Sequence, residues 1–135
     1  DILGDGTIGS VEASDLQTLN GNNEVIFGSI GEPGAIAVTF VWGIFNAPPA
    51  YRELVEWDQI YNQVDFDWSQ TDEGVAGKMD FENIATHELG HSVGMGDLYN
   101  TACSEQTMYG YAALGETKKR TLESGDILGV KSLYK

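Results

Sequence analysis

The chain has 135 residues, of which 21 are Asp or Glu and only 7 are Lys or Arg, so its formal net charge is −14. This length suits one domain, and a hydrophobic fraction of 41% supports a folded core. The negative charge repels phosphate backbones and anionic lipid, which argues against nucleic acid or a membrane surface as a partner. No apolar run approaches the roughly 18 residues that indicate a membrane-spanning helix.

The first half of the chain is predicted to contain three strands. Residues 25–28 and 36–44 are rich in β-branched and aromatic side chains, which favour extended structure. Residues 53–61 alternate polar and apolar side chains with period two, which predicts a half-buried strand. Two adjacent prolines predict a loop before this third strand, and the polar stretch 69–77 predicts another loop after it.

The spacing of the apolar residues changes after Asp80 to the three- and four-residue steps of a helix. Asp80 is a suitable N-cap for that helix, and Gly94 and Gly96 are expected to end it. Similar spacing over residues 121–134 predicts a short C-terminal helix, and the basic residues 118–120 before it are predicted to form a surface loop. Because the strands come first and the helices later, the predicted fold class is α+β.

The chain contains two histidines, His87 and His91, and they stand four residues apart on the first predicted helix. Residues at that spacing share one helical face at about 5–6 Å, so both imidazoles can bind one metal ion. Glu88 completes the pattern H-E-x-x-H, in which the glutamate serves as the general base of a metalloprotease. Taken alone, the pattern also fits a surface helix that carries two histidines.

The residues that follow His91 strengthen the metal hypothesis. A catalytic zinc needs three protein ligands and one open position, and the chain has no third histidine. Gly94 and Asp97 extend the pattern to H-E-x-x-H-x-x-G-x-x-D. A glycine with positive φ lets the chain turn back towards the metal, so that Asp97 can supply an oxygen ligand. The alternative treats Gly94 as a helix C-cap and Asp97 as a solvated loop residue, and it leaves their joint spacing unexplained.

Residues 87–97, HELGHSVGMGD, resemble the extended zinc motif of the metzincin clan of metallopeptidases, in a variant with aspartate as third ligand that is similar to the snapalysins. Residues 107–110, TMYG, resemble the Met-turn of that clan, with Met108 beneath the metal. Together with residues 53–68 and 122–134, these segments resemble the catalytic domain of matrixin-type peptidases, including prokaryotic ones.

The resemblance covers roughly residues 20–135 and implies a single metallopeptidase catalytic domain over the whole chain. It implies a metzincin-like fold: a twisted, mostly parallel sheet, an active-site helix, a Met-turn and a C-terminal helix. The first strand and the long backing helix of that fold are not evident before residue 25. The additional structural zinc of matrixins is excluded, because it needs further histidines.

The resemblance also implies the activity of a zinc-dependent endopeptidase that acts on protein or peptide substrates. One catalytic Zn²⁺ is expected to be bound by His87, His91 and Asp97. Glu88 is expected to act as general base towards a metal-activated water.

Substrate-binding residues follow from the resemblance as well. Residues 36–39 correspond to the upper edge strand of the cleft, so Ala37 is expected to contact the backbone of an extended substrate. Tyr109 and Tyr111 are expected to line the pocket for the residue after the scissile bond. Matrixins usually have proline at the position of Gly110.

Calcium is a possible second ion, because matrixin-like domains commonly bind it. Residues 1–12 match part of an EF-hand loop, but two liganding side chains are missing, so a glycine-rich turn is favoured. The family resemblance and the acidic composition lead us to expect a secreted protein. The sequence leaves the oligomeric state open.

The alternative hypothesis is a catalytically latent or inactive module of the same fold that binds metal or peptide. In a latent form, Asp1 or Asp5 could supply a carboxylate to the open zinc position. Glu88 favours the enzyme, because a purely structural metal site does not need it.

Overall fold

The structure is a computed structural model that describes residues 7, 9–10 and 15–134. The EF-hand-like pattern of residues 1–12 falls mostly on residues outside this description. The carboxylates of Asp1 and Asp5 lie outside it too. Their predicted roles therefore stay predictions.

Three strands between residues 24 and 62 form one sheet. Strand β3 (Glu53–Asn62) lies in its centre, parallel to β1 (Glu24–Gly28) and antiparallel to β2 (Ala37–Ile44). Two short strands, β4 (Trp68–Ser69) and β5 (Met79–Asp80), form a second parallel pair. The three strands predicted from the sequence are confirmed, and two of the three pairings among the described strands are parallel.

Strand β3 is more deeply buried than its alternating pattern predicts. Residues 56–62 are all buried, including the polar ones, because their side chains have hydrogen-bond partners on both sheet faces. On the helix side, Gln59 donates to Ser92 at 2.9 Å. On the opposite face, Glu56 accepts from the backbone N–H of Asn20 at 3.0 Å. The prediction of a half-buried strand is therefore wrong for this segment.

Helix α1 (Phe81–Ser92) begins and ends where the sequence predicts. The Asp80 side chain accepts from the backbone N–H of Asn83 at 2.9 Å, which is an N-cap interaction. The helix gives way to a turn at Gly94, whose φ is +92°. An aromatic cluster attaches the helix to the sheet, with ring centroids 5.0–6.2 Å apart among Phe27, Tyr61, Trp68 and Phe81.

Helix α2 (Ser124–Leu133) confirms the predicted C-terminal helix, but apolar burial does not hold it in place. Ile127 and Leu133 are exposed, whereas Asp126 is buried and accepts hydrogen bonds from the backbone N–H groups of Thr107 and Met108. The fold class is α+β, as predicted. Among the described residues, neither helix combines the length and the apolar character that crossing a bilayer requires.

The prediction of a surface loop at residues 118–120 is wrong for Lys119, whereas Lys118 and Arg120 stay partly exposed. These residues form a 3₁₀ turn, and Lys119 is only 1% exposed. Arg120 donates to both carboxylate oxygens of Asp80, at 2.9 and 2.5 Å, and to the backbone oxygens of Thr71 and Asp72. This ion pair holds the pKa of Asp80 below its usual range. The start of α1 is therefore joined to the segment that precedes α2.

We expect Asp80→Ala to lower the free energy of unfolding by about 2–4 kcal/mol at pH 7, because it removes the N-cap and leaves Arg120 without its buried partner. A carboxyl group with a lowered pKa stabilises the fold above its unfolded pKa and loses that effect as the pH falls through the folded value. The difference from wild type should therefore shrink below about pH 4. Urea unfolding across this pH range measures it.

Glu82→Ala is the matched control, because Glu82 also approaches Arg120, at 3.5 Å, but its side chain is 66% exposed. Its cost should stay below about 1 kcal/mol. Equal losses for the two variants would contradict the role given to Asp80.

Candidate metal centre

Both histidine rings of α1 are held by main-chain carbonyls. The Nδ1 atom of His87 lies 2.7 Å from the oxygen of Thr107, and that of His91 lies 2.9 Å from the oxygen of Met95. Since a carbonyl can only accept, each Nδ1 carries the proton and donates. The Nε2 lone pairs are then free to bind a metal, which is the usual arrangement around metal-ligating histidines. Burial lowers the pKa of His87, which favours the neutral ring that ligation needs.

The turn after α1 brings Asp97 back to the two rings. The positive φ of Gly94 reverses the chain, and the N–H of Met95 donates to the oxygen of Gly90 at 2.9 Å. As a result, Asp97 Oδ1 lies 3.2 Å from Nε2 of His87 and 3.6 Å from Nε2 of His91.

These three donor atoms suit one tetrahedral zinc ion. Zinc bonds of about 2.0–2.1 Å in a tetrahedral arrangement require ligand atoms about 3.3–3.4 Å apart. The separations of 3.2 and 3.6 Å from Asp97 Oδ1 to the two ring nitrogens fall on either side of that value. Two imidazole nitrogens and one carboxylate oxygen are also ligands that zinc accepts. The two separations from Asp97 and the chemistry of the three ligands therefore fit the ion.

Glu88 lies beside these donors and is buried in the cleft. A carboxylate oxygen of Glu88 and one ring nitrogen each of His87 and His91 lie within 4.8 Å of one another. Thr39 Oγ1 on strand β2 donates to Glu88 Oε2 at 2.6 Å. Burial raises the pKa of Glu88, and the hydrogen bond from Thr39 opposes that change. The carboxyl group is therefore a better proton acceptor than an exposed glutamate.

The predicted Met-turn packs beneath the histidine helix. Met108 is 2% exposed, and its Sδ atom occupies the space that a Cβ on Gly90 would fill. The backbone of Leu98 makes two hydrogen bonds with the turn. Its N–H donates to the oxygen of Met108 at 2.8 Å, and its oxygen accepts from the N–H of Gly110 at 2.9 Å. The turn therefore has a fixed position under α1.

Two buried charges hold the Met-turn, and sequence reasoning missed both. Lys119 Nζ donates to the oxygens of Thr107 and Tyr109, and the Asp126 carboxylate accepts from the N–H groups of Thr107 and Met108. Burial lowers the pKa of Lys119. Neither residue belongs to a recognisable motif. The one signal in the sequence is that charged residues follow a turn whose buried backbone atoms need hydrogen-bond partners.

A cleft of about 1160 Å³ runs past these residues. Ala37 on β2, Tyr109 and Tyr111 all line it, so the structure brings the three predicted substrate-binding residues to the same cleft. At Gly110, a Cβ atom would come within 2.5 Å of the ring of Tyr99. A proline at this position would also lose the hydrogen bond that the Gly110 N–H donates to the oxygen of Leu98.

Comparison with known families identifies the chain. Residues 50–135, which are more than half of it, match the matrixin model, Peptidase_M10. The chain therefore belongs to the matrixin family, which is a family of zinc metallopeptidases in the metzincin clan. The match begins after β2, so the strand that is predicted to pair with substrate lies outside the matched residues. No curated protein and no solved structure matches the chain.

We expect Gly90→Ala to displace Met108 and with it the helix that carries both histidines. Overpacking of this kind costs about 1–3 kcal/mol of unfolding free energy. Zinc affinity should fall about tenfold or more, in line with other disturbances of the groups that support metal ligands. Thermal unfolding and chelator competition measure the two effects.

Gly31→Ala is the control, because a Cβ at that position meets no heavy atom within 4 Å. Unchanged stability and zinc affinity in Gly90→Ala would show that the contact between Gly90 and Met108 does not support the site.

Proposed function

We propose that this domain is a zinc-dependent endopeptidase in which Glu88 acts as the general base. The observation that carries the proposal is the convergence of the donor atoms of His87, His91 and Asp97, with the buried carboxylate of Glu88 beside them. A structural metal site needs no buried carboxylate next to its ligands, whereas a hydrolytic site does.

In this proposal, His87, His91 and Asp97 would bind the zinc ion. When bound, zinc supplies Lewis-acid polarisation of the scissile carbonyl and of the attacking water. The hydrogen bonds from the two Nδ1 atoms to Thr107 and Met95 keep both rings aimed at the ion.

Glu88 manages the protons of the reaction. Its carboxylate takes a proton from the attacking water and then passes it to the amine that leaves when the peptide bond breaks. The raised pKa of Glu88, caused first by burial, increases its affinity for that proton. One residue can serve both steps because the proton taken in the first is given back in the second.

The cleft suits an extended peptide. Strand β2 pairs with β3 along one side, and its other side borders the cleft near Ala37, so a substrate can add to the sheet as a further strand. Tyr109 and Tyr111, which also line the cleft, offer aromatic surface to a substrate side chain. Main-chain pairing of this kind recognises peptides with little regard to their sequence, which suits an endopeptidase.

We expect the zinc-loaded domain to cleave an unfolded protein such as casein, with activity that a zinc chelator removes and added zinc restores.

Glu88→Gln should lower kcat by about 10²–10⁴-fold while zinc affinity stays the same, because the amide cannot accept the proton. Glu82→Gln on the exposed face of the same helix is the control and should keep full activity. A zinc-loaded wild type that cleaves nothing would favour the inactive binding module.

We expect Asp97→Ala to weaken zinc binding more than 100-fold, because loss of a ligand should exceed the roughly 10–100-fold effect of losing a group behind a ligand. Chelator competition measures this affinity without any need for turnover. Asp72→Ala, which removes an exposed carboxylate that does not line the cleft, is the control. Zinc affinity that stays unchanged in Asp97→Ala would remove Asp97 from the ligand set.

A further inference from the structure

The hydroxyl group of Thr39, on strand β2, contacts Glu88. Its Oγ1 atom lies 2.6 Å from Glu88 Oε2 and 3.3 Å from the backbone oxygen of the same residue. A hydroxyl has one proton to donate, and the shorter contact shows that it goes to the carboxylate. The bond is charge-assisted when Glu88 is ionised, which places it among the stronger hydrogen bonds of a protein.

We propose that Thr39 is a positioning residue, which holds one oxygen of the Glu88 carboxylate so that the other oxygen faces the reacting water. This inference rests on the endopeptidase proposal and deepens it. Among the described residues, Thr39 is the one side chain that donates to this carboxylate, and it donates only to Oε2. Oε1 is therefore the oxygen that is available to take the proton.

Thr39 lies on β2 beside a buried polar network that joins β3 to α1. Thr39 pairs in register with Gln59 on β3, and Gln59 donates to Ser92 Oγ of α1 at 2.9 Å. Ser92 Oγ in turn donates to the backbone oxygen of Glu88 at 3.2 Å, and the hydroxyl of Tyr61 donates to Gln59 Oε1 at 2.7 Å. The sheet and the helix are thus connected both at the backbone and at the side chain of Glu88.

This connection gives the general base a defined orientation before substrate arrives. A glutamate side chain has three rotatable bonds, and a carboxylate that swings away from the water loses its proton-transfer geometry. A misplacement of about 1 Å in an active site can cost about 100-fold in rate. An anchor at Oε2 limits that movement without occupying the working oxygen.

The test compares Thr39→Val, which keeps the shape but removes the hydroxyl, with Thr39→Ser, which keeps the hydroxyl. For Thr39→Val we expect kcat to fall about 10- to 100-fold, with KM and the zinc dissociation constant each changed by less than about threefold. Thr39→Ser should return kcat to within about threefold of wild type. Thr86→Val is the matched control, because Thr86 Oγ1 donates to the backbone oxygen of Glu82, away from the cleft, and should leave kcat unchanged.

Repeating the Thr39→Val substitution in a Glu88→Asp variant separates a positioning role from a general loss of structure. Glu88→Asp shortens the side chain, so its carboxylate no longer reaches Thr39, and adding Thr39→Val should then lower kcat by no more than about twofold. An equal fall in both backgrounds, failure of serine to rescue, or a kcat of Thr39→Val equal to that of wild type would each overturn the inference while wild type still cleaves. A zinc-loaded wild type without activity would instead overturn the endopeptidase proposal, and this inference with it.

Discussion

Two hydrogen bonds from imidazole rings to main-chain oxygens hold the candidate metal centre together. His87 donates to Thr107 in the Met-turn, and His91 donates to Met95 in the turn that follows α1. Each bond fixes a ring orientation and also joins the helix to one of the two loops that complete the site. If either loop moved, a ring would lose its acceptor and the Nε2 atoms would no longer face the same point.

The Met-turn can serve as that fixed acceptor because buried charges secure it from behind. Thr107 O accepts from both His87 and Lys119, while the Thr107 N–H donates to Asp126. The Met108 N–H donates to Asp126 as well, so a buried cation and a buried anion hold opposite ends of the peptide group between Thr107 and Met108. Each satisfies polar backbone atoms that would otherwise be costly to bury. Helix α2 therefore supports the site through the buried side chain of Asp126, while several of its apolar residues stay exposed.

Much of this domain could be predicted from local patterns. The three sheet strands, the limits of α1 and the N-cap role of Asp80 follow from side-chain periodicity and capping chemistry, which act over a few residues. The spacing from His87 to Asp97 likewise places three ligand types within one helix and one turn, so their meeting needed no long-range information. The buried state of Glu56 and Lys119 could not be predicted, because a polar residue is buried only where distant partners satisfy it.

The amino-acid sequence by itself determined that the three proposed zinc ligands meet, since a helical step of four residues and one glycine turn suffice to bring His87, His91 and Asp97 together. Only the tertiary structure decided what surrounds them. Thr39 meets Glu88 across 49 positions of sequence, and Lys119 reaches Thr107 across 12. Such contacts depend on how the sheet, the helix and the Met-turn pack, and no local preference of these residues specifies that packing.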